Sequence, residues 1–208
     1  MKQKPLFELE RDLFFWERWC CGQGYELICG VDEAGRGPLA GPVVAGAVIV
    51  CEPLDGLEDS KSLSPKRREE LFELICERCI CAWAKVDAGE IDRLNIFRAT
   101  YIAMRKAVEA LETKPDFVLV DGPHPIPNMD IPQKPLVRGD KASASVAAAS
   151  IVAKVVRDRI MDEYHRIFPQ YGFSRHKGYA TKEHIRAIRE FGPSPIHRLS
   201  FKGVCGLR

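Results

Sequence analysis

The sequence predicts an α/β fold built on a mixed sheet, and three observations lead there. Apolar runs of strand length recur at 27–33, 43–50, 80–86 and 117–120. Longer helix-like stretches lie between or after them, at 64–78, at 89–111 and from about Lys141 onward. Two of the strands end in carboxylates with glycine close behind, at the place where open α/β sheets gather their chemistry.

In chain order, residues 6–20 read as a short amphipathic helix. The strands at 27–33 and 43–50 flank a Gly/Pro turn at 35–42. Ser64-Pro65 marks a helix start, a cap followed by proline at the first helical position, and that helix should reach about Arg78. A strand through 80–86 follows, then a single periodic helix from Gly89 to Leu111. The apolar run 117–120 is a buried strand ending on Asp121-Gly122. Five prolines between Pro123 and Pro135 predict a loop. The helix from about Lys141 has no charged residue over 142–153 and eight small ones before Ile151, so it should pack closely on a sheet. Helices near 155–167 and 182–191 complete the chain. The expected organisation is a lead-in at 1–26, a core at 27–160 and a small helical C-terminal extension at 161–208, in one continuous unit.

Hydrophobic content of 46% with 29% charged residues is that of a soluble globular protein. No apolar run approaches the roughly 20 residues of a membrane span. The charged N-terminal stretch excludes a secretory signal, and the expected location is the cytoplasm. Eight cysteines are present, but Cys76-x-x-Cys79 has no second pair at zinc-finger spacing, so free thiols are expected. The net charge of +2 conceals an asymmetry. Residues 1–130 hold 16 Lys and Arg against 23 Asp and Glu, whereas 131–208 hold 15 against 6. A basic C-terminal third suggests a face tuned to a polyanion.

Asp32 and Glu33 precede the turn Gly35-Arg36-Gly37. Adjacent strand residues face opposite ways, so both acids meet one site only if the pleat breaks, and Gly35 and Gly37 are expected to break it. Asp121-Gly122 repeats this pattern, and parallel neighbouring strands would set Asp32 beside Asp121, although Asp-Gly also opens ordinary turns. Asp140, ahead of the charge-free helix, reads as its N-cap or as a further ligand. Converging carboxylates repel and raise one another's pKa, a cost that a divalent cation removes. Oxygen-only ligands favour magnesium or manganese over zinc. Such acids beside glycine amides and an arginine point to metal-dependent phosphodiester chemistry. His124, His176 and His184 are candidates for proton transfer or phosphate contact, although a histidine in a basic loop is more often a surface residue.

Five motifs in order now resemble bacterial ribonuclease HII: Asp-Glu-Ala-Gly-Arg-Gly at 32–37, Asp59-Ser60-Lys61-Ser62-Leu63-Ser64, and Asp121-Gly122. The others are Gly139-Asp140-x-x-Ser143-x-Ser145 running into Ala147 to Lys154, and Tyr171-Gly172-Phe173 with His176-Lys177-Gly178-Tyr179. They span about residues 28–202. The resemblance implies a ribonuclease H-like mixed five-stranded sheet flanked by helices, with a small helical C-terminal extension. It also implies a two-metal endoribonuclease using Mg2+ or Mn2+. Its substrates would be RNA–DNA hybrids and duplex DNA carrying single ribonucleotides, cut to leave 5′-phosphate and 3′-hydroxyl ends. By position, Asp32, Glu33, Asp121 and Asp140 would be the catalytic, metal-binding acids. Gly35, Arg36 and Gly37 would grip the 2′-hydroxyl and nearby phosphates, Tyr179 would pack beside the RNA–DNA junction, and Lys61 and Lys177 would touch phosphates. A monomer is expected.

Two features depart from or refine this resemblance. The loop after Asp121 reads Gly122-Pro123-His124-Pro125, where the family often has asparagine after Asp-Gly. Only about 26 residues precede the first strand, too few for the extra N-terminal domain usual in ribonuclease HIII. The competing readings are another nuclease or transposase of the same fold, which would not read a 2′-hydroxyl, and a non-catalytic nucleic-acid-binding module.

Overall fold

A computed structural model describes residues 12–57 and 63–204, and its five strands form one sheet between two helical layers. The strands are β1 (Ile28–Ala34), β2 (Val43–Ile49), β3 (Ile80–Val86), β4 (Phe117–Asp121) and β5 (Gln133–Leu136), in the spatial order β3-β2-β1-β4-β5. β1 pairs antiparallel with β2, and β2 with β3, while β1–β4 and β4–β5 are parallel. The helices are α1 (Phe15–Gly22), α2 (Pro65–Arg78), α3 (Ala88–Leu94), α4 (Ile96–Glu109), α5 (Ala144–Ile167), α6 (Phe173–His176) and α7 (Lys182–Phe191).

Alternation along β2 shows how both faces are covered. Val43, Ala45, Ala47 and Ile49 join Ile91, Ala99, Ala103 and Met104 of α3 and α4 on one face. Val44 and Val48 point the other way, to Leu71 and Ile75 of α2 and to the alanines of α5. A strand buried on both sides reads as one apolar run, as β2 does. Gly30 and Gly46 let α5 lie against the sheet. A Cβ on Gly30 would stand 2.0 Å from the Ser145 carbonyl carbon, and one on Gly46 would stand 2.5 Å from the Ala149 oxygen. The small residues of α5 therefore meet bare strand backbone, as their spacing predicts.

Several expected boundaries change. Residues 89–111 form two helices, because Asn95 takes a φ of 70° and its side chain accepts from Arg98 N at 3.1 Å, starting α4 afresh. The proline-rich loop ends in a strand: β5 contains Pro135, tolerated because β5 is an edge strand. The helices read at 141–153 and 155–167 are one helix, α5. Its cap is Ser143, whose hydroxyl accepts from Val146 N at 3.2 Å, and Asp140 sits instead in a 3₁₀ turn, Gly139–Lys141. Glu17 of α1 reinforces this start by accepting from Ser143 Oγ at 2.6 Å and from Ser145 N at 2.9 Å. The helix read at 6–20 begins outside the described residues and is seen as α1. No described helix is long and apolar enough to cross a membrane.

The third apolar cluster ties the C-terminal helices to the loop after β1, through Leu39, Ala40, Met161, Tyr171, Phe173 and Ile188. The close α5–sheet contact has a direct test. Gly30→Ala should cost about 3 kcal/mol, read as a lower urea midpoint at unchanged slope. An unchanged midpoint would mean that α5 stands farther from β1 than described.

Candidate active site

Register brings the acids together. The β1–β4 ladder ends at Val31↔Val120, so Asp32 and Asp121 follow side by side, while β1 stays paired with β2 through Ala34↔Val44. The pleat therefore does not break at the acids, contrary to expectation. Asp32 and Glu33 still reach one site because β4 has ended and left that flank of β1 open. One carboxylate oxygen each from Asp32, Glu33 and Asp121 lies within 4.8 Å of the others. Asp140 is buried close enough to disturb the Asp32 titration.

Burial raises the Asp32 pKa well above its ordinary value, and the charges of Glu33, Asp121 and Asp140 add to that, against a 2.7 Å hydrogen bond from Glu33 N. Glu33 is raised mainly by burial, partly offset by Arg36, whose Nη1 donates to its Oε1 at 3.1 Å. Asp121 is oriented by Gly139 N, which donates to Oδ1 at 2.7 Å. An all-oxygen donor set in which Asp32 and Glu33 resist ionising suits a hard divalent cation.

The chain turns at Gly35, with φ of 96° and a Cβ position only 2.0 Å from Arg157 Nε, so no side chain fits there. Two buried arginines, which the sequence reading did not single out, hold this turn. Arg157 donates to the carbonyls of Pro42, Ala40 and Lys177 at 3.1–3.2 Å. Arg198 donates to those of Gly41, Arg36 and Gly35 at 2.6–3.0 Å. Burial lowers the pKa of both, and with Arg157 beside it Arg198 falls to about 9. Ala40 also forms an antiparallel bridge with His197. An arginine in a mostly apolar helix was the available signal for Arg157; nothing local marks Arg198.

A cleft of about 350 Å³ opens over the turn, lined by Asp32, Glu33, Gly35, Arg36, Gly37 and Tyr179. Arg68, Ser150 and Lys154, not singled out beforehand, line its other parts. Tyr179 is 47% exposed, and its Cε1 lies 3.7 Å from where Gly37 would carry a Cβ. An adjoining recess adds Asp121, Phe97, Tyr101 and His124 to Glu33 and Arg36. Lys177 sends its ammonium to Asp162 and gives its carbonyl to Arg157. Lys61 lies outside the described residues. His176 and His184 are buried, not at the surface: α7 turns His184 inward, where it meets His197. The seven cysteines among the described residues are free.

The family model described as Ribonuclease HII matches residues 29–204. The chain is 54% identical over 198 residues to a Ribonuclease HII of Caldicellulosiruptor saccharolyticus, covering 94% of this chain and 93% of that protein. Its fold is similar to the crystal structure of ribonuclease H2 from Pyrococcus horikoshii OT3 (TM-score 0.75, 26% identity, 88% of this chain and 97% of that one). Bst-RNase HIII, solved in complex with Mn2+, shares the fold at TM-score 0.69 and 21% identity, over 99% of this chain and 73% of that one.

Protonation links the acid cluster to stability. A carboxyl whose native pKa is raised binds its proton more tightly when folded, so its contribution is fully present below the unfolded pKa and is lost as pH rises through the folded one. In chelator, Asp32→Asn should therefore have a higher urea midpoint than wild type near neutral pH. The difference should vanish below about pH 3.8, the ordinary value for this group, and narrow when Mg2+ is added. A lower midpoint for the variant at neutral pH would make Asp32 a structural residue.

Proposed function

The chain belongs to the ribonuclease HII family, and on that premise we propose that it cuts the RNA strand of RNA–DNA hybrids and incises 5′ of single ribonucleotides in duplex DNA. The products would carry 5′-phosphate and 3′-hydroxyl ends. The observation that carries this reading is the meeting of Asp32, Glu33 and Asp121 oxygens beside a glycine turn roofed by Tyr179.

Asp32, Glu33, Asp121 and Asp140 would hold divalent cations, Mg2+ or Mn2+, which supply a nucleophilic water and Lewis acidity at the phosphate. The remaining work falls to the chain. Gly35 and Gly37 keep side chains away from the cleft floor, so backbone groups of the turn meet the 2′-hydroxyl, the one group that separates RNA from DNA at a given position. Arg157 and Arg198 hold the turn's carbonyls and so fix where that backbone stands. Arg36, half exposed while bonded to Glu33, is placed to meet a phosphate and the acid cluster together. Arg68 adds positive charge along the cleft for the same backbone, and Lys154, paired with Asp158 at 2.7 Å, lines it as well. The open face of Tyr179 packs on the sugar that follows the ribonucleotide. Residues beyond 160 thereby contribute to the substrate groove. Lys177, engaged by Asp162, would reach a phosphate only by giving up that partner.

The experiment is a duplex with one ribonucleotide, incubated with Mg2+ beside an all-DNA duplex and a chelator control. A metal-dependent nick 5′ of the ribonucleotide, absent from all-DNA, is expected. Asp121→Asn should lower cutting on the order of a thousandfold, and Tyr179→Ala should weaken cutting at the junction. Equal cutting of all-DNA would remove the 2′-hydroxyl reading.

A further inference from the structure

Behind Tyr179 lies a group of buried histidines that the reaction does not use. His184 is fully buried and His197 is 2% exposed. Ser194 N and Ser194 Oγ both lie 2.8 Å from His197 Nδ1, and the amide, which can only donate, makes that nitrogen an acceptor. His197 Nε2 lies 3.0 Å from His184 Nε2, and His184 Nδ1 lies 2.9 Å from the Tyr179 carbonyl oxygen. An amide only donates and a carbonyl only accepts, so the protons have one arrangement. His197 accepts at Nδ1 and carries its proton on Nε2. It donates to His184 Nε2, and His184 donates from Nδ1 to Tyr179. Two protons or none between the facing Nε2 atoms would set like against like, so both rings must be neutral. Burial supports this, lowering each to about 4. His176 stacks on His184 with centroids 4.5 Å apart and accepts from Gly178 N at 3.2 Å, fixing the residue before the tyrosine.

We propose that His184 and His197 are positioning residues for Tyr179: a one-way chain of neutral imidazoles from Ser194 that fixes the tyrosine backbone and so aims its ring over Gly37. This rests on the reading of Tyr179 as the residue that meets the RNA–DNA junction. The two histidines touch no substrate. They act by restricting where the ring stands, and misplacement of about 1 Å is enough to lower a rate severely.

The test uses the full chain and two substrates, a duplex with one ribonucleotide and a hybrid with a long RNA strand. His197→Phe fills the space but cannot donate to His184, whereas His197→Gln returns an N–H near the Nε2 position. The phenylalanine variant should lose about tenfold in kcat/KM on the single ribonucleotide, with hybrid cutting within about twofold of wild type. Glutamine should restore most of the loss. In a Tyr179→Ala background, His197→Phe should add no further loss. Equal loss on both substrates, or a full further loss in the alanine background, would reduce the histidines to packing and overturn the proposal. Undiminished junction cutting by Tyr179→Ala alone would overturn the tyrosine reading, and the proposal with it. If His197→Phe does not fold, nitrogen-detected imidazole spectra of the wild-type protein decide. They should show the Nδ1–H tautomer at His184 and the Nε2–H tautomer at His197, and any other assignment overturns the chain.

Discussion

Carboxylates are held together here by strand register, against their mutual repulsion. Asp32 and Asp121 are neighbours because β1 and β4 run parallel and in step to Val31↔Val120, and neither strand can slip without turning its apolar residues out of the core. The apolar layers on both faces supply the free energy that keeps this register. The cluster remains a local debt: Asp32 and Glu33 are both pushed toward their protonated forms. A bound divalent cation would reverse that balance, so the repulsion that costs the fold stability would favour binding of such an ion.

Opposite charge enters the site directly through Arg36 and indirectly through two buried arginines. Arg157 and Arg198 donate to six carbonyls between them, in and around the turn after β1. Guanidinium groups suit this because their donors spread in one plane and can hold several strands of backbone at once. The turn is thus fixed from beneath by cations while its upper surface stays open in the cleft. Tyr179 is held in a comparable way, by its backbone, so both elements are positioned through main-chain contacts and their cleft-facing sides are left clear.

Much of this was legible in the residues. The strand end at Asp121, the Ser64-Pro65 helix start and the small-residue face of α5 each follow from local chemistry and stand where they were read, whereas β1 runs on past Asp32 to Ala34. What was misread depended on a neighbouring residue taking the cap, on a backbone angle, or on partners distant in the chain. Asp140 looks like a cap until Ser143 is seen to perform that role. Pro135 looks incompatible with a strand until the strand proves to be an edge. Asn95 breaks a periodic segment through its backbone angle, which hydrophobic spacing does not report. His184 and Arg198 carry ordinary surface chemistry in sequence and acquire their roles only when the C-terminal segment folds back over the loop after β1.

That fold-back has a consequence for how the molecule is made. Chains fold from the N-terminus as they are synthesised. When Tyr179 is added, all four acids have been added before it, but His197 and Arg198 have yet to follow. The growing chain therefore carries the acid cluster and Arg157 before it carries Arg198, which donates to the carbonyls of Gly35 and Arg36 in the neighbouring turn. The turn beside the acids takes its final shape only once the C-terminal segment has been added and has folded back over it.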